Sequence, residues 1–316
     1  MSVLRVLSWP GMPTAAALQQ AADRIGAVAE ATVITSNEQL EEALRAEPFD
    51  LIFPSDYLVE RLMARGDVLP LECPPEAVAQ LVHWARGAPH DPGCTHSLPF
   101  AFGTTGYLCD AAFGGAGTWH DLLQPADGVA VGMLSEPREV VGAALIATGC
   151  SPNDASPEAL ARARRLLLRQ RPSVARYDSD DFVGPVVRGE VAAHQAWSGP
   201  ASVAVRGHAH LRYVVPAEGA GLWITTAAVP ATAPDAAGGH RLLAALAAPE
   251  LAALTTLNDG FATPNAAARA LLPADLRGDP VLFPSDDVIR RCSTFHDLGD
   301  REPLVIEVYD EVVAAG

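Results

Sequence analysis

The 316-residue chain has no run of apolar residues near the roughly 18–20 that span a bilayer, so a membrane helix is not expected. Ser2-Val3-Leu4-Arg5-Val6-Leu7 is too short for the apolar core of a secretory signal and reads as a first strand. If a leader has been removed, a periplasmic or extracellular protein is expected; if Met1 is the natural start, a cytoplasmic one. Cysteines are few. Cys73, Cys94, Cys109, Cys150 and Cys292 are odd in number, scattered and without a C-x-x-C pair, which argues against a disulfide framework or a zinc knuckle. Cys94 has His96 two residues away but no third ligand nearby, so no metal or other cofactor is expected. Positive charge is scarce: the net charge is −16, which repels phosphate backbones and excludes nucleic acid as a partner. G-x-S-x-G, H-E-x-x-H, the P-loop and G-x-G-x-x-G are all missing. Catalysis would need a histidine such as His194, His208, His210 or His296 in a cleft, so an enzyme is the less favoured expectation.

What is present is apolar and alternating. Hydrophobic residues make up 49% and charged residues 19%, and the length exceeds the usual limit of about 250–300 residues for one core, so two lobes are expected. Leu4–Leu7, Ala31–Ile34 and Asp50–Phe53 read as strands. Between and after them lie helices opened by Pro13, by the capping box Ser36-Asn37-Glu38-Gln39, and after Pro54 with a stop at Gly66. This alternation implies a parallel sheet covered by helices. Residues 67–98 read as a Pro-rich loop. Further strands are expected over 128–134 and 213–216, with helices from Ser156 and over about 238–256 and 264–271. Arg162, Arg164, Arg165, Arg169 and Arg171 could grip phosphates or form a solvated helix face. His208-Ala209-His210 would put two rings on one face of a strand.

Six segments resemble, in the same order, the spermidine/putrescine-binding proteins of bacterial ABC importers. They are Phe53-Pro54-Ser55-Asp56-Tyr57, Gly103-Thr104-Thr105-Gly106, Glu136-Pro137-Arg138-Glu139-Val140, Ala196-Trp197-Ser198-Gly199, Gly221-Leu222-Trp223 and Ala262-Thr263-Pro264-Asn265. The resemblance covers nearly the whole chain. It implies an α/β, two-lobed type II periplasmic-binding fold with a ligand cleft between the lobes, lobe one holding 1–104 and 227–273 and lobe two 105–226 and 274–316. It implies a solute-binding protein for ABC-type uptake that captures a small amine-containing or cationic metabolite, with a transporter permease as partner. The alternative is a cytoplasmic enzyme or ligand sensor derived from the same fold.

The ligand-binding residues implied are Trp9, Ser55, Tyr57, Glu136, Glu139, Trp197, Trp223, Thr225 and Phe261. Aromatic faces would sandwich an alkylammonium chain and carboxylates would pair with its charge. The bland reading of the aromatics is core packing, and of the two glutamates, charges that suit a helix N-terminus. Arg138, between the glutamates, is expected to turn outward. The family usually places an acid where Gly11 stands and another where Thr225 stands, and a polar amide where Phe295 stands. With those acids gone and Glu136/Glu139 kept, a ligand with one cationic end and one apolar or neutral end is expected.

Overall fold

A computed structural model describes residues 2–316, the Asp259 side chain excepted. Among the described residues the strands are, in chain order, β1 (Val3–Ser8), β2 (Val28–Val33), β3 (Leu51–Ile52), β4 (Ser97–Asp110), β5 (Val131–Met133), β6 (Val174–Tyr177), β7 (Ala193–Trp197), β8 (Leu211–Val214) and β9 (Gly221–Ala228). The chain divides into two compact units. The first runs to Phe102 and resumes over Trp223–Gly278; the second is Gly103–Leu222 with Asp279–Gly316.

In the first unit the strand order is β2-β1-β3-β9. β1 pairs in parallel with β2 and β3, while β9 returns antiparallel, Ile52 opposite Ala228. Parallel strands need a crossover, and the helices Ala15–Arg24 and Asn37–Ala46 supply it. Leu4, Val6, Leu51, Leu242 and Leu246 form one core; Leu7, Ile52, Leu58 and Leu62 form a second. β2 is the outermost strand and is mostly exposed, with Val33 57% and Val28 38% accessible.

In the second unit the order is β4-β7-β5-β6, with β8 also on β4. β7 lies antiparallel to β4 and parallel to β5. Trp119, Leu122, Val141, Leu145, Leu166 and Leu167 build its main core under the helices Pro137–Ala147 and Pro157–Gln170. A smaller core gathers Leu108, Phe182, Val186 and Ala201 around Trp197.

Several local expectations change. Thr14 rather than Pro13 caps the first helix, its hydroxyl accepting from Ala17 N at 3.0 Å. The Ser36 hydroxyl accepts from Gln39 N, but the Gln39 amide returns to Thr35 N at 2.9 Å instead of to the cap. The span 67–98 holds two short helices, Pro75–Ala79 and His83–Arg86. The helix expected over 238–256 is two, Ala236–Leu246 and Pro249–Asp259. Pro249 cannot donate to a preceding turn and therefore opens a new helix. His208 and His210 meet edge to face, centroids 5.8 Å apart, in the turn before β8 rather than along a strand. Arg162, Arg164, Arg165 and Arg169 are exposed, and Arg164 pairs with Glu311, as a solvated face would. The last helix, Glu302–Ala314, packs Val305, Val308 and Val312 into the second unit.

Candidate functional site

The second unit builds its part from strand register. Antiparallel pairing of β4 with β7 sets Thr105 opposite Trp197. Directly opposed side chains stand about 5 Å apart on one face, so both can reach a third group. That group is Glu139: its Oε1 accepts from Thr105 Oγ1 at 2.9 Å and from Trp197 Nε1 at 3.1 Å. The glutamate sits in the first turn of Pro137–Ala147. Glu136 is the N-cap and Pro137 takes the first helical position, where a missing N–H costs nothing. The buried Gln195 amide donates to Glu139 O at 2.9 Å and anchors the turn from β7.

Glu139 is half-buried and, among the described residues, has no ion-pair partner. Burial pushes its carboxyl up to about 7 and the Glu136 charge adds to this, against the opposing hydrogen bonds from Trp197 and Thr105. Desolvation dominates because the direct donors are neutral and the Arg138 charge, engaged by other partners, offsets it only in part. Gly221 keeps room for the carboxylate: a Cβ there would lie 3.2 Å from Glu139 Oε2 and 2.9 Å from the Phe295 ring.

Arg138 does not turn outward. It is buried, donating to Asn153 Oδ1 at 3.0 Å and His296 O at 3.1 Å, with Glu302 at 3.4 Å and the Phe295 ring at 5.3 Å. These partners come from distant segments and draw the guanidinium away from Glu139. β4 is pinned nearby by Tyr213, whose hydroxyl donates to Thr104 O at 2.7 Å and accepts from Gly106 N at 2.7 Å. Thr105, Gln195, Tyr213 and Gly221 are site-building residues that were not singled out from sequence. Thr105 and Gly221 lay within the resembling segments; Gln195 and Tyr213 carried no local signal.

The first unit gathers a neutral set. Asn37 Nδ2 donates to the Tyr57 hydroxyl at 2.6 Å, and Ser55 Oγ donates to Asn37 Oδ1 at 3.0 Å. Ser55, the N-cap of Asp56–Arg65, bridges antiparallel to Thr225. Trp9 Nε1 donates to Phe53 O at 2.7 Å, which fixes its ring. Trp223 and Phe261 meet edge to face, centroids 6.1 Å apart, and the buried Trp223 Nε1 has no acceptor among the described residues. The nine residues implied by resemblance therefore fall into two groups: Glu136, Glu139 and Trp197 on the second unit, and Trp9, Ser55, Tyr57, Trp223, Thr225 and Phe261 on the first.

His194 does not join either group. It is fully buried in β7, with Nδ1 2.7 Å from Gln195 O, and burial takes its ring down to about 4. Among the described residues no group of three His, Cys, Asp or Glu side chains could hold a metal ion, and no helix is long and apolar enough to cross a membrane.

Two lobes with crossover strands, and polar groups at strand and helix ends, define the type II periplasmic-binding fold. Comparison with known proteins agrees. The family model for bacterial extracellular solute-binding proteins matches residues 13–284, and the chain belongs to that family. It is 31% identical over 291 residues to spermidine/putrescine-binding periplasmic protein 1 of Haemophilus influenzae, covering 89% of this chain and 81% of the relative. It is 28% identical to the putrescine-binding periplasmic protein SpuD of Pseudomonas aeruginosa, covering 94% and 87%. The crystal structure of the spermidine/putrescine ABC transporter substrate-binding protein PotD from Streptococcus pneumoniae superposes with a TM-score of 0.87 at 21% identity, covering 100% and 99%. The last shows a shared fold.

Proposed function

We propose that this solute-binding protein captures a small organic amine outside the cytoplasm and delivers it to an ABC-type importer. The observation that carries the reading is Glu139: a half-buried carboxyl held by an indole N–H and a hydroxyl, with no ion-pair partner among the described residues. A carboxylate so placed gains from an arriving cation, because two neutral hydrogen bonds compensate its desolvated charge only in part. The Trp197 face beside it suits an alkylammonium chain. The names of the relatives, which are polyamine-binding and periplasmic, support the ligand class and the compartment.

The first-unit group, Trp9, Ser55, Tyr57, Trp223, Thr225 and Phe261, supplies aromatic faces and hydroxyls but no carboxylate. We therefore assign the ligand one cationic end, read by Glu139 with Glu136, and an apolar or neutral remainder. Calorimetry with putrescine, spermidine, N-acetylputrescine and agmatine, against phosphate and sulfate, tests this. Micromolar or tighter binding of a monocationic amine, lost in Glu139→Gln, is the expected result. Binding of anions alone would reverse the assignment of the glutamates.

A further inference from the structure

We propose that Glu139 is a proton-for-ammonium exchange site: capture of the cationic ligand expels a proton that the empty carboxyl holds. The inference rests on the amine reading of this site. The groups that face the carboxyl are all neutral or of the wrong sign or direction. From its own helix come Glu136, a like charge, and Arg138, whose charge opposes the shift but whose hydrogen bonds go to Asn153 and His296 O and whose ion pair is with Glu302. From β4 and β7 come Thr105 and Trp197, which donate to Oε1 alone, and the Gln195 amide, which is occupied by the backbone of Glu139. From β8 comes the Tyr213 phenol, which burial holds far above its ordinary value and so keeps neutral. From β9 comes Gly221, and from the segment bridged to it at Ser293 comes the Phe295 ring, an apolar wall on the Oε2 side.

A half-buried carboxyl in that setting meets its charge requirement most simply by keeping its proton, and its affinity for protons, raised to about 7, agrees. An arriving ammonium supplies the missing positive charge and makes the proton redundant. The exchange balances: the neutral carboxylic acid and the ammonium become a carboxylate–ammonium pair, and one proton leaves to buffer. No bond in the ligand changes.

Linkage fixes what should be seen. If the complex holds Glu139 ionised, binding of an amine probe should release about half a proton at pH 7, nearly one at pH 6 and almost none at pH 8.5. Affinity should fall roughly tenfold per unit below about pH 7 and level off above it. Calorimetry of wild type in phosphate and in Tris, whose ionisation heats differ, reads the proton count directly, with the tightest binder among putrescine, spermidine and N-acetylputrescine as probe. Glu139→Gln should abolish the release and flatten the pH profile. Glu136→Gln should keep the release but move its midpoint to lower pH, because a like charge has gone. Tight amine binding with no proton release, and with affinity constant from pH 5.5 to 8.5, overturns the exchange and leaves the amine reading standing. Failure of every amine probe across that range overturns both.

Discussion

The two units use similar aromatic residues in different electrical settings. Trp197 in the second unit donates its indole N–H to a carboxylate, whereas Trp9 in the first donates to the Phe53 carbonyl and Trp223 meets Phe261 edge to face. In the second unit a carboxyl waits between a like charge and neutral donors. In the first, Ser55, Asn37 and Tyr57 satisfy one another in a chain of neutral hydrogen bonds. The contrast separates two tasks. On the proposed reading, one region would select by charge and the other by shape.

The sharpest way to break the contrast is Glu139→Gln. A charge-assisted contact in a desolvated place contributes about 1.5–3 kcal/mol, so affinity for a monocationic amine should fall roughly ten- to hundredfold by calorimetry. Equal losses from Glu139→Gln and Thr225→Ala would mean that charge at Glu139 does not set the affinity. Next in size is Gly221→Ala. Its Cβ would press on Phe295 and Glu139 Oε2, and overpacking of this kind costs about 1–3 kcal/mol, read as a lowered denaturant midpoint together with weakened ligand binding. Unchanged affinity would show that the carboxylate tolerates displacement.

A third test needs no ligand. The Glu139 carboxyl lies near 7 in the fold against an ordinary 4.5, so the folded chain binds more protons than the unfolded one between those values. This group's contribution therefore makes stability fall as pH rises from about 4.5 to 7 and level off above. Glu139→Gln removes that slope, and its stabilising effect should be largest near pH 8 and vanish toward pH 4.5. Denaturant midpoints at several pH values check it; a parallel pair of profiles would show that Glu139 does not titrate there. Smaller is Tyr57→Phe, which strips the acceptor from Asn37 Nδ2 and should cost about 0.5–1.5 kcal/mol of stability. Smallest is Thr225→Ala, a neutral hydroxyl worth at most about 0.5–1.5 kcal/mol in ligand binding. Thr225→Asp sharpens the comparison from the other side: it should bring charge selection into the first unit and raise affinity for diamines over monoamines.

Much of the fold was legible because strand and helix signals repeat locally: Leu4–Leu7, the cap at Ser36 and the stop at Gly66, which adopts a left-handed φ of 74°, each announce themselves within a few residues. The helix Glu302–Ala314 escaped notice because its valines suit a strand as well as a helix, and only packing against the second unit decides. The site was legible where six resembling segments marked it. The direction of Arg138 was not, since its partners Asn153, His296 and Glu302 come from 15 to 164 residues away. Nor was the joint role of Thr105 and Trp197, which depends on the register between two strands some ninety residues apart.

The outer strand β2 carries a colloidal consequence. Its sequence Val28-Ala29-Glu30-Ala31-Thr32-Val33 is β-prone and largely bare, and its outer row of backbone donors and acceptors has no neighbouring strand among the described residues. Such an edge is a template for joining another sheet, and one charge, Glu30, interrupts it. A gatekeeper role for Glu30 predicts that Glu30→Val leaves the fold intact while light scattering grows on standing. Replacing Val33 with Lys should do the reverse and extend the concentration range over which the protein stays dispersed.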